Sequence, residues 1–120
     1  MRGVTSAVSA MLGQIVAELR AAGIDPDGER VYLLHFTEPY RHARHYLGWS
    51  RRLMPRLLAH LTGRGSPLVA AAIEAGIAIR LARTWTGGPA TERALKRRKH
   101  HRVFCPLCGA DAIERTTRQA

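Results

Sequence analysis

Two β-forming runs, separated by one short polar stretch, constrain this chain more than anything else in it. Arg30–Phe36 reads Arg-Val-Tyr-Leu-Leu-His-Phe, and Arg44–Trp49 reads Arg-His-Tyr-Leu-Gly-Trp. Val, Tyr, Phe and Trp favour the extended backbone. The stretch between them, Thr37 to Ala43, is polar and holds Pro39, so the two runs predict a hairpin. A third run, Ile77–Trp85, alternates Ile77, Ile79 and Leu81 with Ala78, Arg80 and Ala82, and predicts a third strand that joins the other two across helices. Gly87-Gly88 ends it.

The rest of the chain carries helical spacing. Between Thr5 and Ala22, Val8, Met11, Leu12, Ile15, Val16 and Leu19 form one apolar stripe, with Gly23 as a stop and 24–29 as a turn or linker. Ser50 can cap a helix reaching Leu61, with Leu53, Leu57, Leu58 and Leu61 as its buried stripe. Pro55 is tolerable there only in the first turn, so this helix starts late or bends. Pro67–Ala75 predicts a short helix stopped at Gly76, and Pro89 opens a last helix to about Lys99. The expected fold class is α+β: a small three-stranded, mostly antiparallel sheet flanked by helices, with an extra N-terminal helix. The expected division is an N-terminal helix and linker over 1–28, one domain over 29–102, and a C-terminal tail over 103–120. With 120 residues there is room for one domain.

Charge speaks to partners rather than to fold. The formal net charge is +10, carried mostly by Arg, which pairs bidentately with phosphate. Nucleic acid is therefore the first partner to consider, against a merely basic soluble protein. The N-terminal apolar stretch is interrupted by Gln14 and Glu18, which argues against a signal peptide or membrane span and for a cytoplasmic protein without a membrane partner.

Several residues could carry chemistry. Arg52, Arg56 and His60 recur at four-residue spacing and share a helix face, opposed to the leucine stripe. Tyr32 and Tyr46 can share a face of the hairpin. Glu92, in the first turn of the last helix, is the one acid among Arg93, Lys96, Arg97, Arg98 and Lys99. Taken singly, each has a plain structural reading: a packed strand tyrosine, a solvated arginine, a Glu92–Lys96 pair.

Their joint order resembles the GIY-YIG nuclease superfamily. Val31-Tyr32-Leu33 stands where its first signature strand would be, and His45-Tyr46-Leu47-Gly48 is close to the Tyr-Ile-Gly signature. Ser50 follows, with Arg56 and His60 eight and twelve residues after Gly48, a Gly-Arg-Gly-Ser loop at 63–66, a third strand, and a helix bearing Glu92. The match covers roughly residues 30 to 99. The departures are Arg30-Val31 in place of Gly-Ile, a slightly long basic loop between the tyrosines, the added helix at Pro67–Ala75, and no counterpart of an Asn after the Glu helix; they mark a divergent member.

The resemblance implies a DNA endonuclease with one Mg²⁺ or Mn²⁺ held by Glu92. Tyr32 or Tyr46 would orient or deprotonate the attacking water, Arg56 would stabilise phosphoryl charge, and His60 would assist by hydrogen bonding. Arg41, Arg44, Arg51, Arg52, Lys96, Arg97 and Lys99 would grip the DNA backbone. The alternative is an inactive nucleic-acid-binding module of the same fold. A domain this small has little surface for specific readout, so a homodimer or a specificity-giving partner protein is the natural complement. Cys105 and Cys108 make only half of a four-ligand zinc site; two ligands alone do not make a structural site, so they read as free thiols in a tail, with completion by His100 and His101 or by a second chain as the alternative. His35, His42 and His45 read as phosphate contacts rather than ligands.

Overall fold

The computed structural model describes residues 6–98 and 101–108. The order is α1 (Ser6–Ala22), β1 (Arg30–Tyr40), β2 (Ala43–Ser50), α2 (Leu53–Leu61), α3 (Pro67–Glu74), β3 (Ile79–Trp85) and α4 (Pro89–Arg97), then a 3₁₀ turn at His101–Phe104. The three strands form one sheet in the order β2-β1-β3, with both pairings antiparallel. The fold is thus the expected α+β arrangement with a leading helix.

Local chemistry explains most boundaries. α1, α2 and α3 end alike. The residue after each cap, Gly23, Gly63 or Gly76, has φ of 68°, 78° or 85°. Its N–H and the next one close back onto carbonyls of the last turn, as in Gly23 to Arg20 and Ile24 to Leu19. Ser66 caps α3, its Oγ accepting from the Leu68 N–H at 3.1 Å, with Pro67 at the first helical position. α2 starts late, at Leu53, so Pro55 falls in the first turn where no N–H is needed. Ser50 does not cap this helix; its hydroxyl instead bridges the Arg52 N–H and carbonyl.

β1 runs four residues beyond the expected end, to Tyr40. Pro39 cannot donate to a ladder, and the β1–β2 register shifts between His35 and Tyr40. Counted back from the Tyr40↔Ala43 pair, a regular hairpin would set His35 opposite Gly48. The irregularity sets it opposite His45, and Tyr32 opposite Gly48.

Side-chain alternation along β1 then builds two cores. Tyr32, Leu34 and Phe36 face α1, α2 and α3, packing with Ile15, Leu19, Leu53, Leu57, Leu61 and Val69. Val31 and Leu33 face the other way, onto Leu47, Phe104, Cys105 and Cys108. The segment from Val103 is therefore no free tail as far as Cys108: Phe104, Cys105 and Cys108 are buried against the back of the sheet. Among the described residues, no helix is long and apolar enough to cross a membrane.

Candidate active site and metal-binding group

The front face of the hairpin gathers four of the five residues singled out for catalysis, and the fifth lies within electrostatic reach. Tyr32 and Tyr46 project from β1 and β2 with ring centroids 6.3 Å apart. The gap between them exists because Gly48 has no side chain. A Cβ there would lie 2.5 Å from the Tyr32 hydroxyl oxygen and 2.9 Å from the Tyr46 ring. Glycine at position 48 is thus a space requirement set by Tyr32.

His60 closes the group from α2. It is fully buried, not on the exposed face with Arg52 and Arg56 as the four-residue spacing suggested; its ring turns inward beside the leucines. Nδ1 accepts the Ser66 backbone N–H at 3.0 Å. Burial and the nearby Arg56 charge push its pKa down to about 4, so the ring is neutral at ordinary pH. With Nδ1 accepting, the ring proton sits on Nε2, and Nε2–H donates to the Tyr32 oxygen at 2.6 Å. The Tyr32 hydroxyl proton is then directed elsewhere. Gly65 leaves room for this ring, since a Cβ at 65 would lie 2.3 Å from His60 Nδ1.

Arg56, one turn before His60 and solvent-exposed, sits against both phenols. Hydrogen bonding to Tyr32 raises its pKa, with Tyr46 contributing in the same direction. Burial lifts the Tyr32 phenol well above its ordinary value against the pull of Arg56, and the Tyr46 and Glu92 charges add to the rise. Glu92, on α4, is partly buried and lies 3.8 Å from Lys96. Both carboxylate and amine retain solvent access, so this pair is a weak restraint. One carboxylate is no cage, but Mg²⁺ sites commonly combine one or two carboxylates with substrate phosphate and water.

The expected nucleic-acid contacts do not form a single stripe. Arg41 and Arg44 lie at the hairpin tip, Arg41 in the left-handed region and 5.6 Å over the Tyr40 ring. Arg51 and Arg52 lie at the opposite end, where Arg52 pairs with Asp27 at 3.1 Å on the open surface. Lys96 and Arg97 are exposed on α4, and Lys99 lies outside the described residues. A cavity of about 820 Å³ lies between α1, α3 and the start of β3, and none of these residues lines it.

The back face of the same hairpin carries a second cluster. One ligand atom each from His35, His45, Cys105 and Cys108 lies within 4.8 Å of every other, an arrangement able to hold a metal ion. His45 Nε2 is 3.0 Å from Cys108 Sγ, and His35 Nδ1 is 3.4 Å from Cys105 Sγ and 3.7 Å from Cys108 Sγ. His35 and His45 are therefore partners of the cysteines, not the expected phosphate contacts. Of the histidines expected beside the cysteines, His101 is outside the four and packs on Phe104, and His100 lies outside the described residues. His42 is exposed in the turn. No protein-family model, curated protein or solved structure matches the chain.

Proposed function

We propose that this chain is a metal-dependent DNA endonuclease of the GIY-YIG type, acting from the front face of the hairpin. The observation that carries the reading is the buried hydrogen-bonded line Ser66–His60–Tyr32, capped on its open side by Arg56 and Tyr46. A purely structural tyrosine needs neither a neutral histidine donor nor an arginine laid against its oxygen. The order of Tyr32, Tyr46, Gly48, Arg56, His60 and Glu92 along the chain supports the same assignment.

In this reading the two tyrosines divide the work. Tyr32 is fully buried, its phenol is raised, and its oxygen already accepts from His60. It is a fixed acceptor for His60 and Arg56 that holds the arginine toward the open side of the group. Tyr46 is only partly buried and shares the Arg56 cation. In its phenolate form it orients the water and takes one proton from it as the oxygen attacks phosphorus and the P–O bond to the leaving oxygen breaks, the released alkoxide taking a proton from solvent. Arg56 meets the charge that develops on the phosphoryl oxygens. His60 holds Tyr32 in place. Glu92 would hold a divalent ion, Mg²⁺ or Mn²⁺, which would supply Lewis-acid polarisation of a phosphate and charge compensation at the leaving oxygen. The DNA backbone is gripped by exposed arginines and lysines, Arg51, Arg52, Lys96 and Arg97 among them.

Supercoiled plasmid incubated with Mg²⁺ or Mn²⁺ tests the assignment. Wild type is expected to give nicked or linear product. Glu92→Gln, which keeps shape and removes charge, is expected to abolish cleavage while binding DNA as wild type does. Wild type inert with either ion on duplex, single-stranded and branched DNA would favour the non-catalytic binding module. Equal cleavage by Glu92→Gln would remove the metal role from that residue.

A further inference from the structure

We infer that His35, His45, Cys105 and Cys108 form a closed, structural Zn²⁺ site that fastens the segment after α4 to the back of the β1–β2 hairpin. The inference does not rest on the nuclease reading, whose residues occupy the opposite face of the same strands.

The donor set comes first. Two thiol sulfurs and two imidazole nitrogens are the borderline-soft ligands that Zn²⁺ takes, and a hard oxygen-seeking ion such as Mg²⁺ does not. Geometry comes second. With Zn–S near 2.3 Å and Zn–N near 2.0–2.1 Å, donors at the corners of a tetrahedron lie roughly 3.3–3.8 Å apart. The separations here are 3.0, 3.4 and 3.7 Å for the sulfur–nitrogen contacts, with every pair within 4.8 Å. Only small adjustments of side-chain torsions separate this arrangement from ideal coordination.

The protonation problem comes third. His35 Nδ1 is approached by both sulfurs, yet it has one in-plane lone pair. Hydrogen bonds can pair Cys105 with His35 and Cys108 with His45, but they give no reason for the Cys108 sulfur to approach His35 Nδ1 as well. A cation at their centre satisfies all four at once. The burial pattern agrees: His35, Cys105 and Cys108 are buried and His45 partly so, leaving no open coordination position for substrate. Four protein ligands and a closed shell are the signature of a structural rather than a catalytic ion.

The site also explains why a short segment packs there. Phe104 and the two cysteines bring little apolar area of their own to Val31, Leu33 and Leu47. A metal bond between 105–108 and the hairpin closes a loop of about sixty residues and supplies what the small core lacks. It also clamps His35 to His45 where the hairpin register is irregular, and so holds the pairing that places Tyr32 beside Gly48 on the other face.

The test uses the full chain without a histidine tag, and zinc as the probe. After dialysis against metal-free buffer, elemental analysis is expected to find one zinc per chain. Cobalt replacement is expected to give the intense visible bands and thiolate charge-transfer absorption of a tetrahedral site. Strong chelation is expected to lower the melting temperature, and zinc to restore it. Cys105→Ser with Cys108→Ser removes half of the ligands but threatens folding. His45→Ala, partly exposed, is therefore the companion variant, expected to fold and to weaken zinc binding at least about tenfold. Wild type that stays folded and binds no stoichiometric zinc or cobalt would overturn the inference, as would a six-coordinate cobalt spectrum or His45→Ala binding zinc as tightly as wild type. None of these readouts depends on DNA cleavage, so an inactive enzyme with a full zinc site, or an active one without zinc, separates the two proposals.

Discussion

Tyr32 illustrates how one side chain can be constrained from several directions. Gly48 leaves space for its oxygen, His60 donates to it, and Arg56 lies against it. Tyr32→Phe keeps the ring and leaves the His60 Nε2–H buried without an acceptor. It should cost about 1–3 kcal/mol in unfolding free energy, read by urea denaturation. Tyr46→Phe, at a partly exposed position, should cost little stability and lower the cleavage rate by roughly a hundredfold or more, the scale of a lost proton acceptor. Full activity in Tyr46→Phe with inactivity in a folded Tyr32→Phe would exchange their roles. His60 makes a pH prediction. Its folded pKa of about 4 lies below the ordinary 6.5. Between those values the unfolded chain binds a proton that the folded chain does not, so stability rises with pH across the window and is lost as pH falls through it. The contribution is of order 3 kcal/mol at most. Unfolding free energies of wild type and His60→Gln, measured from pH 7 to pH 4, should converge as pH falls. Parallel curves would show that His60 titrates normally.

At the level of elements, the hairpin is the shared wall of both candidate sites. Period-two alternation sends Tyr32 and Tyr46 to one face and His35 and His45 to the other. The irregular stretch before Tyr40 decides which residues meet across it. The segment after α4 covers the back of this wall, with Trp85 and Phe104 meeting edge to face at a centroid distance of 6.0 Å. Truncation after Arg102 should therefore destabilise the chain by at least the roughly 1.5–3 kcal/mol of burying one large apolar side chain. A shortened chain that melts at the wild-type temperature would return this segment to the status of a tail.

Across the whole molecule the formal net charge is +10, and among the described residues basic side chains lie at the hairpin tip, the start of α2 and on α4. Such a distribution favours a long polyanion over a compact one. DNA affinity should fall at least roughly a hundredfold between about 50 and 200 mM salt, as four or so phosphate contacts imply. A titration by fluorescence anisotropy that is flat over this range would argue against backbone contacts as the source of binding. The same spread of charge leaves sequence readout to few side chains, consistent with a second subunit or partner supplying it.

Much of this architecture was legible before any coordinates. Apolar spacing marked α1 and α2, Pro67 and Pro89 opened α3 and α4, Gly23 and Gly76 marked two ends, and Pro55 required α2 to start late or bend, because propensity, capping and steric exclusion act within a few residues. The tyrosines, Arg56 and Glu92 could be named from their order. Tertiary structure alone decided three things. Helical periodicity put His60 with the exposed arginines, but the acceptor on Tyr32 and the donor at Ser66 draw it inside. The register that opposes His35 to His45 depends on an irregularity around Pro39 that no turn rule predicts. And Cys105 and Cys108 found their companions some sixty to seventy residues away, because the distance along a chain sets no limit on which donors a fold brings to one point.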